Sequence, residues 1–173
     1  MGKPSSPDPV LLFVGMLCRN EKYLAGAKER LHALFGEPIF ESSQMPWDYS
    51  DYYREELGSP IKRTFIFFKK PIDPGILSDV KLATNKIEEE LSTGGKRNIN
   101  LDPGYLTLHH VVLASTKNYS HRIYTGKGIY AEVTLVYRDG KYRPHLFTYA
   151  DYCSDAYVEL FAQARELLKE GIR

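Results

Sequence analysis

The sequence predicts an α+β fold, in which a βαββαβ core is extended by an antiparallel β-meander and closed by a C-terminal helix. Two stretches in the first half of the chain repeat apolar residues with the period of an α-helix, and short apolar runs flank them. Further along, Asp139-Gly140 between two alternating segments is a strong hairpin signal. A third amphipathic helical stretch follows near the end of the chain. Together these patterns set the predicted order of elements.

The first half of the chain holds three predicted strands and two predicted helices. Asn20 is a suitable N-cap for the first helix, which ends at Gly36. The second helix begins after Pro74-Gly75 and ends at Gly94-Gly95. The connection 47–58 is polar and aromatic and has room for a helical turn. The predicted strands are the apolar runs Val10–Leu17, Ile39–Met45 and Ile61–Phe68.

The next segment decides whether the core is complete. A strand at Thr107–Ser115 completes a ferredoxin-like βαββαβ core. Asp102-Pro103 is also a good helix start, so a helix over Pro103–Ala114 is the alternative.

The remaining residues predict the meander and the closing helix. Turns at Gly126-Lys127-Gly128 and Asp139-Gly140 join the strands of the meander, and Ser154 caps the helix. We find no linker and no internal repeat, so residues 10–173 are predicted to form a single α+β domain behind a disordered tail at 1–9.

Composition narrows the class of protein. A formal net charge of +1 gives no strong nucleic-acid signal, because that binding depends on a basic excess. No apolar run reaches the ~18–20 residues that a membrane helix needs. The two cysteines, Cys18 and Cys153, form no disulfide framework, which favours a cytoplasmic location.

Pairing the two hairpins predicts a two-sided meander. Cross-strand neighbours point the same way, so Arg122 is expected opposite Glu132 and Tyr124 opposite Tyr130. The polar face comprises Arg122, Tyr124, Tyr130, Glu132, Thr134, His145 and Phe147. The core face comprises Ile123, Ile129, Ala131, Val133, Leu135 and Leu146. The polar face either binds a ligand or holds an Arg122–Glu132 ion pair that fixes the strand register.

A second polar row lies on the second helix. Lys81, Thr84, Asn85 and Glu88 share a face opposite the apolar stripe of that helix. Either this row faces the same ligand, or it is a solvated surface with a contact between lysine and glutamate.

The residue types favour recognition of an anion. Lys117, His121 and Arg122 supply cationic donors around one turn, and Arg122 is capable of bidentate contact with phosphate or carboxylate. If Arg122 binds the ligand, its replacement should leave stability nearly unchanged. The candidate general bases are Glu132, Asp102 and His145. The predicted ligand-binding residues are Lys117, His121, Arg122, Tyr124, Tyr130, Thr134, Lys81, Asn85, Glu88 and Asp151.

Motifs for nucleotide or metal binding are absent from the sequence. Gly94-Gly95-Lys96-Arg97 lacks the upstream glycine and the Ser or Thr of a phosphate loop. Asp102, Glu132 and Asp151 suit Mg²⁺, which uses one or two carboxylates together with a ligand phosphate. Nothing in their spacing requires a metal, so no metal ligand is assigned.

Seven blocks of the sequence carry a family resemblance: Asp51–Gly58, Lys81–Glu88, Asn100–Leu106, Ala114–Lys117, His121–Tyr124, Gly128–Leu135 and Thr148–Tyr152. Taken in order, they resemble the prokaryotic domain-of-unknown-function family 4416. Some members of that family are labelled GTP-binding. The resemblance implies no catalytic residues for this chain.

The sequence therefore predicts a polar-aromatic cleft that binds a phosphorylated or otherwise anionic ligand, such as a nucleotide or an RNA end. The alternative is a non-enzymatic module that uses its tyrosine-rich sheet face to bind a partner protein or to form a homodimer, because tyrosine and arginine are also favoured at interfaces. A concave pocket would favour the ligand, and a flat apolar patch would favour the partner. The sequence does not decide whether the protein is an enzyme.

Overall fold

A computed structural model describes residues 2–171, so Met1 of the predicted tail and the last two residues of the predicted domain lie outside it. Residues 2–9 are exposed and form neither helix nor strand. The helices are α1 (Glu21–Phe35), α2 (Arg54–Leu57), α3 (Leu77–Glu90) and α4 (Asp155–Gly171). The strands are β1 (Leu11–Cys18), β2 (Pro38–Glu41), β3 (Met45–Trp47), β4 (Ile61–Phe68), β5 (Ile99–Leu106), β6 (His110–Ser115), β7 (Ile123–Gly126), β8 (Ile129–Arg138) and β9 (Lys141–Arg143). No helix among these residues combines the length and hydrophobicity needed to cross a membrane.

The strands form one large antiparallel sheet with helices on both faces. Its order is β2-β4-β1-β5-β6-β8-β7, with β3 paired to β4 and β9 paired to β8. On one face, α1 and α3 pack against alternate residues of β1 such as Leu12 and Met16. On the other face, α4 places Phe161 against Phe13 and Phe65, with ring centroids 5.0 and 5.4 Å apart. Because both faces are covered, β1 is buried along its whole length.

Several predicted elements are confirmed with their expected end signals. The Asn20 side chain accepts a hydrogen bond from the Lys22 N–H (2.9 Å), and α1 ends at Gly36, whose φ of 86° favours glycine. The strand Ile61–Phe68 is present with the predicted bounds. The mixed α+β class follows from the four helices and the large antiparallel sheet.

Two predicted elements differ from the structure. The single strand expected at Ile39–Met45 is two short strands, β2 and β3, which both pair with β4. The alternative of a helix over Pro103–Ala114 is wrong, since this segment is a β5–β6 hairpin and Pro103 lies within β5. The strand predicted at Thr107–Ser115 is present as β6, but β6 pairs with β5 and β8, and the strand that lies beside β1 is β5.

The meander has both predicted turns, although the pairing of β8 with β9 ends at Arg143 and does not reach His145 or Phe147. Arg138 pairs with Lys141 across a turn in which Asp139 and Gly140 both have positive φ, as a two-residue hairpin of type I′ requires. Across the other turn Tyr124 pairs with Tyr130, as predicted.

The predicted core face of the meander is wrong in part. Ile123 is 74% exposed and Leu146 is 89% exposed, and Val133 is exposed too. A bulge explains part of the difference: Val111 pairs with Leu135 but Val112 pairs with Val133, so β8 carries one extra residue between them. Leu135 thereby joins the buried side that Glu132 also occupies, while Val133 faces outward.

Candidate functional site

The central hairpin of the sheet opens into a cleft. Strands β5 and β6 pair only where Gly104–Leu106 meets Val111–Leu113. Beyond that point β5 stays with β1, while β6 stays with β8. A cavity of about 560 Å³ lies where the two strands diverge, and it is lined by residues of β3–β6, β8, α3 and the neighbouring loops. This volume is in the range of small-molecule sites.

One wall of the cleft comes from α3. Lys81 Nζ donates to the Leu101 carbonyl (2.8 Å), and Glu88 Oε1 accepts from the Leu101 N–H (2.5 Å). These side chains satisfy backbone groups of β5 at a point where β6 no longer pairs with it. Asn85 also lines the cleft. The alternative of a solvated helix face is therefore wrong, since Lys81, Thr84 and Glu88 are buried.

The pKa of Glu88 in this wall is shifted from its ordinary value. Burial raises the pKa of its carboxyl group, and the nearby charge of Lys81 and the Leu101 N–H offset this only in part. Arg97 approaches the same carboxylate, with Nη1 3.3 Å from Glu88 Oε2, but its Nε and Nη2 bind Glu56 at 2.8 and 2.6 Å. Those hydrogen bonds from Arg97 hold the pKa of Glu56 below its usual range.

The buried Arg63 binds two of the carboxylates that line the cleft, Asp102 and Asp151. Arg63 donates to Asp102 Oδ2 (2.8 Å) and to Asp151 Oδ2 (3.2 Å), and the Trp47 indole N–H also donates to Asp151 Oδ2 (2.9 Å). Burial alone would raise the pKa of Asp102, but the charges of Arg63 and Lys81 hold it below its usual value. Asp102 and Asp151, both predicted from the sequence, thus come together through one cation.

Space for this arginine depends on a glycine in the central strand. Gly15 of β1 lies opposite both Phe65 and Asp102, and a Cβ built there would stand 2.9 Å from Arg63 Nη1. Sequence reasoning missed Arg63 and Trp47 as site residues. The available signal was an arginine within the strand Ile61–Phe68, in which isoleucine and phenylalanine predominate.

The opposite wall is built on Glu132 of β8. Its Oε2 accepts from Arg122 Nε (2.6 Å) and lies 2.8 Å from His121 Nε2. Arg122 also donates to Ser115 Oγ (2.7 Å), to the Lys117 carbonyl (2.9 Å) and to the Tyr149 hydroxyl. The predicted Arg122–Glu132 contact is confirmed. Every guanidinium nitrogen of Arg122 binds a protein group and its side chain is only 1% exposed, so Arg122 supports the wall.

Tyrosines and one lysine surround the opening. Lys117 Nζ lies 4.6 Å from the centroid of the Tyr52 ring, so a residue of the β6–β7 connection meets one from the segment before α2. Further aromatic residues that line the cleft are Tyr49, Tyr53, Tyr119 and Tyr149.

The structure brings part of the predicted site together. The predicted residues that line the cleft are Lys81, Asn85, Glu88, Asp102, Lys117, Glu132 and Asp151. His121 and Arg122 stand behind Glu132, and the His121 ring stacks on Phe147 with a centroid distance of 4.6 Å. Tyr124, Tyr130, Thr134 and His145 do not line the cleft.

The residues outside the cleft have other contacts. The rings of Tyr124 and Tyr130 pair with each other at 5.3 Å. His145 is exposed, with Nε2 2.5 Å from the Val133 carbonyl oxygen. Thr134 is buried, and its hydroxyl has no hydrogen-bond partner within residues 2–171.

The carboxylates do not assemble into a metal centre. Within residues 2–171, no three His, Cys, Asp or Glu side chains form a cluster that could hold a metal ion. Asp102 and Asp151 are drawn to Arg63, and Glu132 is drawn to Arg122. The carboxylate set proposed for Mg²⁺ is thus divided between two arginines.

Comparison with known proteins gives one result. A family model described as "Domain of unknown function (DUF4416)" matches residues 8–168. Searches of curated proteins and of solved structures gave no match. The matched range includes every strand and all but the last residues of α4, and with them the whole cleft. The chain is therefore a member of the DUF4416 family.

Proposed function

We propose that the cleft between β5 and β6 binds a small phosphorylated or otherwise anionic ligand, such as a nucleotide or an RNA end. The cleft is concave, and Lys117 and Glu132 meet residues of α3 in it. A concave pocket in which Lys117, Arg122 and Glu132 converge with α3 favours a ligand over a flat partner surface; here Arg122 lies behind Glu132 and does not line the cleft.

The observation that carries the proposal is that Lys117 lines the cleft without a carboxylate partner among residues 2–171. Four cationic residues line the cleft. Arg63 and Arg97 are paired with carboxylates, and Lys81 donates to a backbone carbonyl. Among residues 2–171 Lys117 has no carboxylate partner and lies over the Tyr52 ring. Unlike Arg63, Arg97 and Lys81, Lys117 can therefore pair with a ligand anion without giving up an ion pair or a hydrogen bond within residues 2–171.

The aromatic residues support a ring-bearing ligand. Tyr52 and Tyr119 line the cleft and are exposed, and tyrosine rings are surfaces on which a base can stack. Stacking of this kind contributes ~1–3 kcal/mol per base in single-stranded nucleic-acid sites.

A binding experiment tests the proposal. Isothermal titration with AMP, GMP, CMP, UMP, ribose 5-phosphate and inorganic phosphate would be run on the native protein and on Lys117→Met, with Lys70→Met as a control at an exposed lysine outside the cleft. We expect at least one probe to bind, and Lys117→Met to weaken it about tenfold or more, because a charge-assisted contact is lost. Binding of no probe, or equal binding by Lys117→Met, would contradict the proposal.

We also infer that the first half of the fold is a ferredoxin-like core. The order β2-β4-β1-β5 is antiparallel throughout, and α1 and α3 connect β1 to β2 and β4 to β5. Both helices pack on the same face of the sheet, which supports this inference. The free thiols of Cys18 and Cys153 support a cytoplasmic location.

A second candidate function is homodimerisation or binding of a partner protein. It is favoured by two exposed apolar side chains, Ile123 in the edge strand β7 and Leu146 in the segment after β9. Sedimentation analysis tests it: a monomer at micromolar concentration, unchanged by Leu146→Ser, would exclude the dimer.

A further inference from the structure

Glu132 presents one oxygen atom for which the protein supplies no partner. The residue is 4% exposed and lines the cleft. Its Oε2 is shared by Arg122 and His121, while Oε1 is buried and has no hydrogen-bond partner within residues 2–171. Buried carboxylate oxygens in folded proteins nearly always accept a hydrogen bond. This atom therefore marks a position at which a bound molecule would donate.

The contacts of Arg122 and His121 determine which oxygen of Glu132 lacks a partner. Arg122 is itself held by Ser115 Oγ and the Lys117 carbonyl, so the guanidinium cannot turn to serve both oxygens of Glu132. The His121 ring is held in turn by stacking on Phe147. A carboxylate paired with a guanidinium only accepts hydrogen bonds. The group that meets Oε1 must therefore be an N–H or an O–H.

The charge of the cleft points to the same chemistry. Four carboxylates line it beside the four cations, and Asp102 is still 27% exposed although Arg63 holds its Oδ2. A ligand that consists only of an anion could pair with Lys117 but would offer no donor to these carboxylates. A ligand that carries hydroxyl or amino groups near its anion would donate to the carboxylates and place its charge at Lys117.

We propose that the cleft selects ligands that bear hydroxyl or amino donors beside the anionic group, as nucleotides and sugar phosphates do, and that Glu132 is the specificity-determining residue that accepts from such a donor. This inference rests on the proposed function and names the class of ligand for the same site. It excludes simple inorganic anions as the preferred ligand.

The test compares organic and inorganic phosphates on matched variants. Affinities for the nucleotide and sugar-phosphate probes and for inorganic phosphate would be measured on the native protein, on Glu132→Gln and on Glu159→Gln, a control at an exposed glutamate outside the cleft. We expect the native protein to bind its best organic probe at least tenfold more tightly than inorganic phosphate. Glu132→Gln should weaken that probe about 10- to 100-fold, the effect of losing one hydrogen bond to a charged group, and leave phosphate binding within about twofold.

Asp102→Asn is the second variant, because the Asp102 carboxylate is held by Arg63 and this change leaves the contact between Arg122 and Glu132 intact. It should also weaken the organic probe more than phosphate. Equal affinity of the native protein for organic and inorganic phosphate, or an unchanged organic affinity in folded Glu132→Gln, would overturn this inference while leaving the anion site at Lys117 standing. Failure of every probe to bind the native protein would overturn the proposed function and this inference with it.

Discussion

Replacement of Arg122 by alanine tests whether this residue supports the cleft wall or binds the ligand directly. Its guanidinium binds the carboxylate of Glu132, the hydroxyls of Ser115 and Tyr149, and the Lys117 carbonyl. The side chains of Arg122 and Glu132 are only 1% and 3% exposed. Alanine would therefore leave a buried carboxylate without its main cation.

The structure sets the expected size of the effect. Breaking a buried ion pair by removal of one partner costs ~3–5 kcal/mol. His121 stays 2.8 Å from the same oxygen, so we expect the lower end, about 3 kcal/mol. For a chain of this length that corresponds to a fall in melting temperature of about 6–12 °C. Urea denaturation of Arg122→Ala would be compared with Arg138→Ala, a control at an exposed arginine whose loss should leave the unfolding midpoint unchanged.

The double variant Arg122→Ala/Glu132→Gln sharpens the result. It also removes the negative charge that Arg122→Ala leaves buried without a partner, so it should recover part of the lost free energy of unfolding. Replacing both members of a buried ion pair costs less stability than removing only one of them. An unfolding midpoint of Arg122→Ala within error of the native value would refute this account of the wall. It would favour instead the role predicted from the sequence, in which Arg122 contacts the ligand and contributes little to stability.

Three further predictions follow from the burial of single residues. Gly15→Ala should lower the free energy of unfolding by about 1–3 kcal/mol, because its Cβ would stand 2.9 Å from Arg63 Nη1; a melting temperature equal to that of the native protein would contradict this. Because the pKa of Glu88 is raised, its carboxyl group binds a proton more tightly in the folded state than in the unfolded state. The stability that protonated Glu88 contributes is therefore fully present below the ordinary pKa of a glutamate and is lost as pH rises through the raised pKa. The stability of the native protein relative to Glu88→Gln should therefore fall from pH 4 to pH 8 in urea titrations, and a difference that grows with pH would be inconsistent with this. Leu135→Ala should cost about 2–5 kcal/mol while Leu146→Ser leaves the unfolding midpoint unchanged, whereas equal losses would place both residues in the core.

Local signals predicted much of the backbone. Asn20 and Gly36 bound α1 because capping and left-handed φ depend on neighbouring residues alone. Asp139-Gly140 likewise forms its hairpin because both positions accept positive φ. The segment Pro103–Ala114 was ambiguous because a proline after an aspartate suits both a helix start and a strand whose N–H is not needed. Pairing of β5 with β1 along its whole length decides it, and that contact is distant in sequence.

In the candidate site, too, local patterns predicted some features, and contacts between distant parts of the chain determined the others. Sequence periodicity placed Lys81, Asn85 and Glu88 on one helix face, and hairpin pairing placed Arg122 beside Glu132. Neither argument could show that β5 and β6 separate, and the cleft that Lys81, Asn85, Glu88 and Glu132 line lies at this separation. Arg63 was missed because its partners, Asp102 and Asp151, lie 39 and 88 residues away along the chain.

By itself the sequence determined the α+β class, the ends of α1, the turns of the meander and the pairing of Arg122 with Glu132. These depend on periodicity, capping and turn chemistry, which act over a few residues. Only the tertiary structure decided which side of the meander is buried, since one extra residue in β8 moves Leu135 to the inner side. It also decided which oxygen of Glu132 remains free, because that depends on where Arg122, His121 and their own partners meet in space.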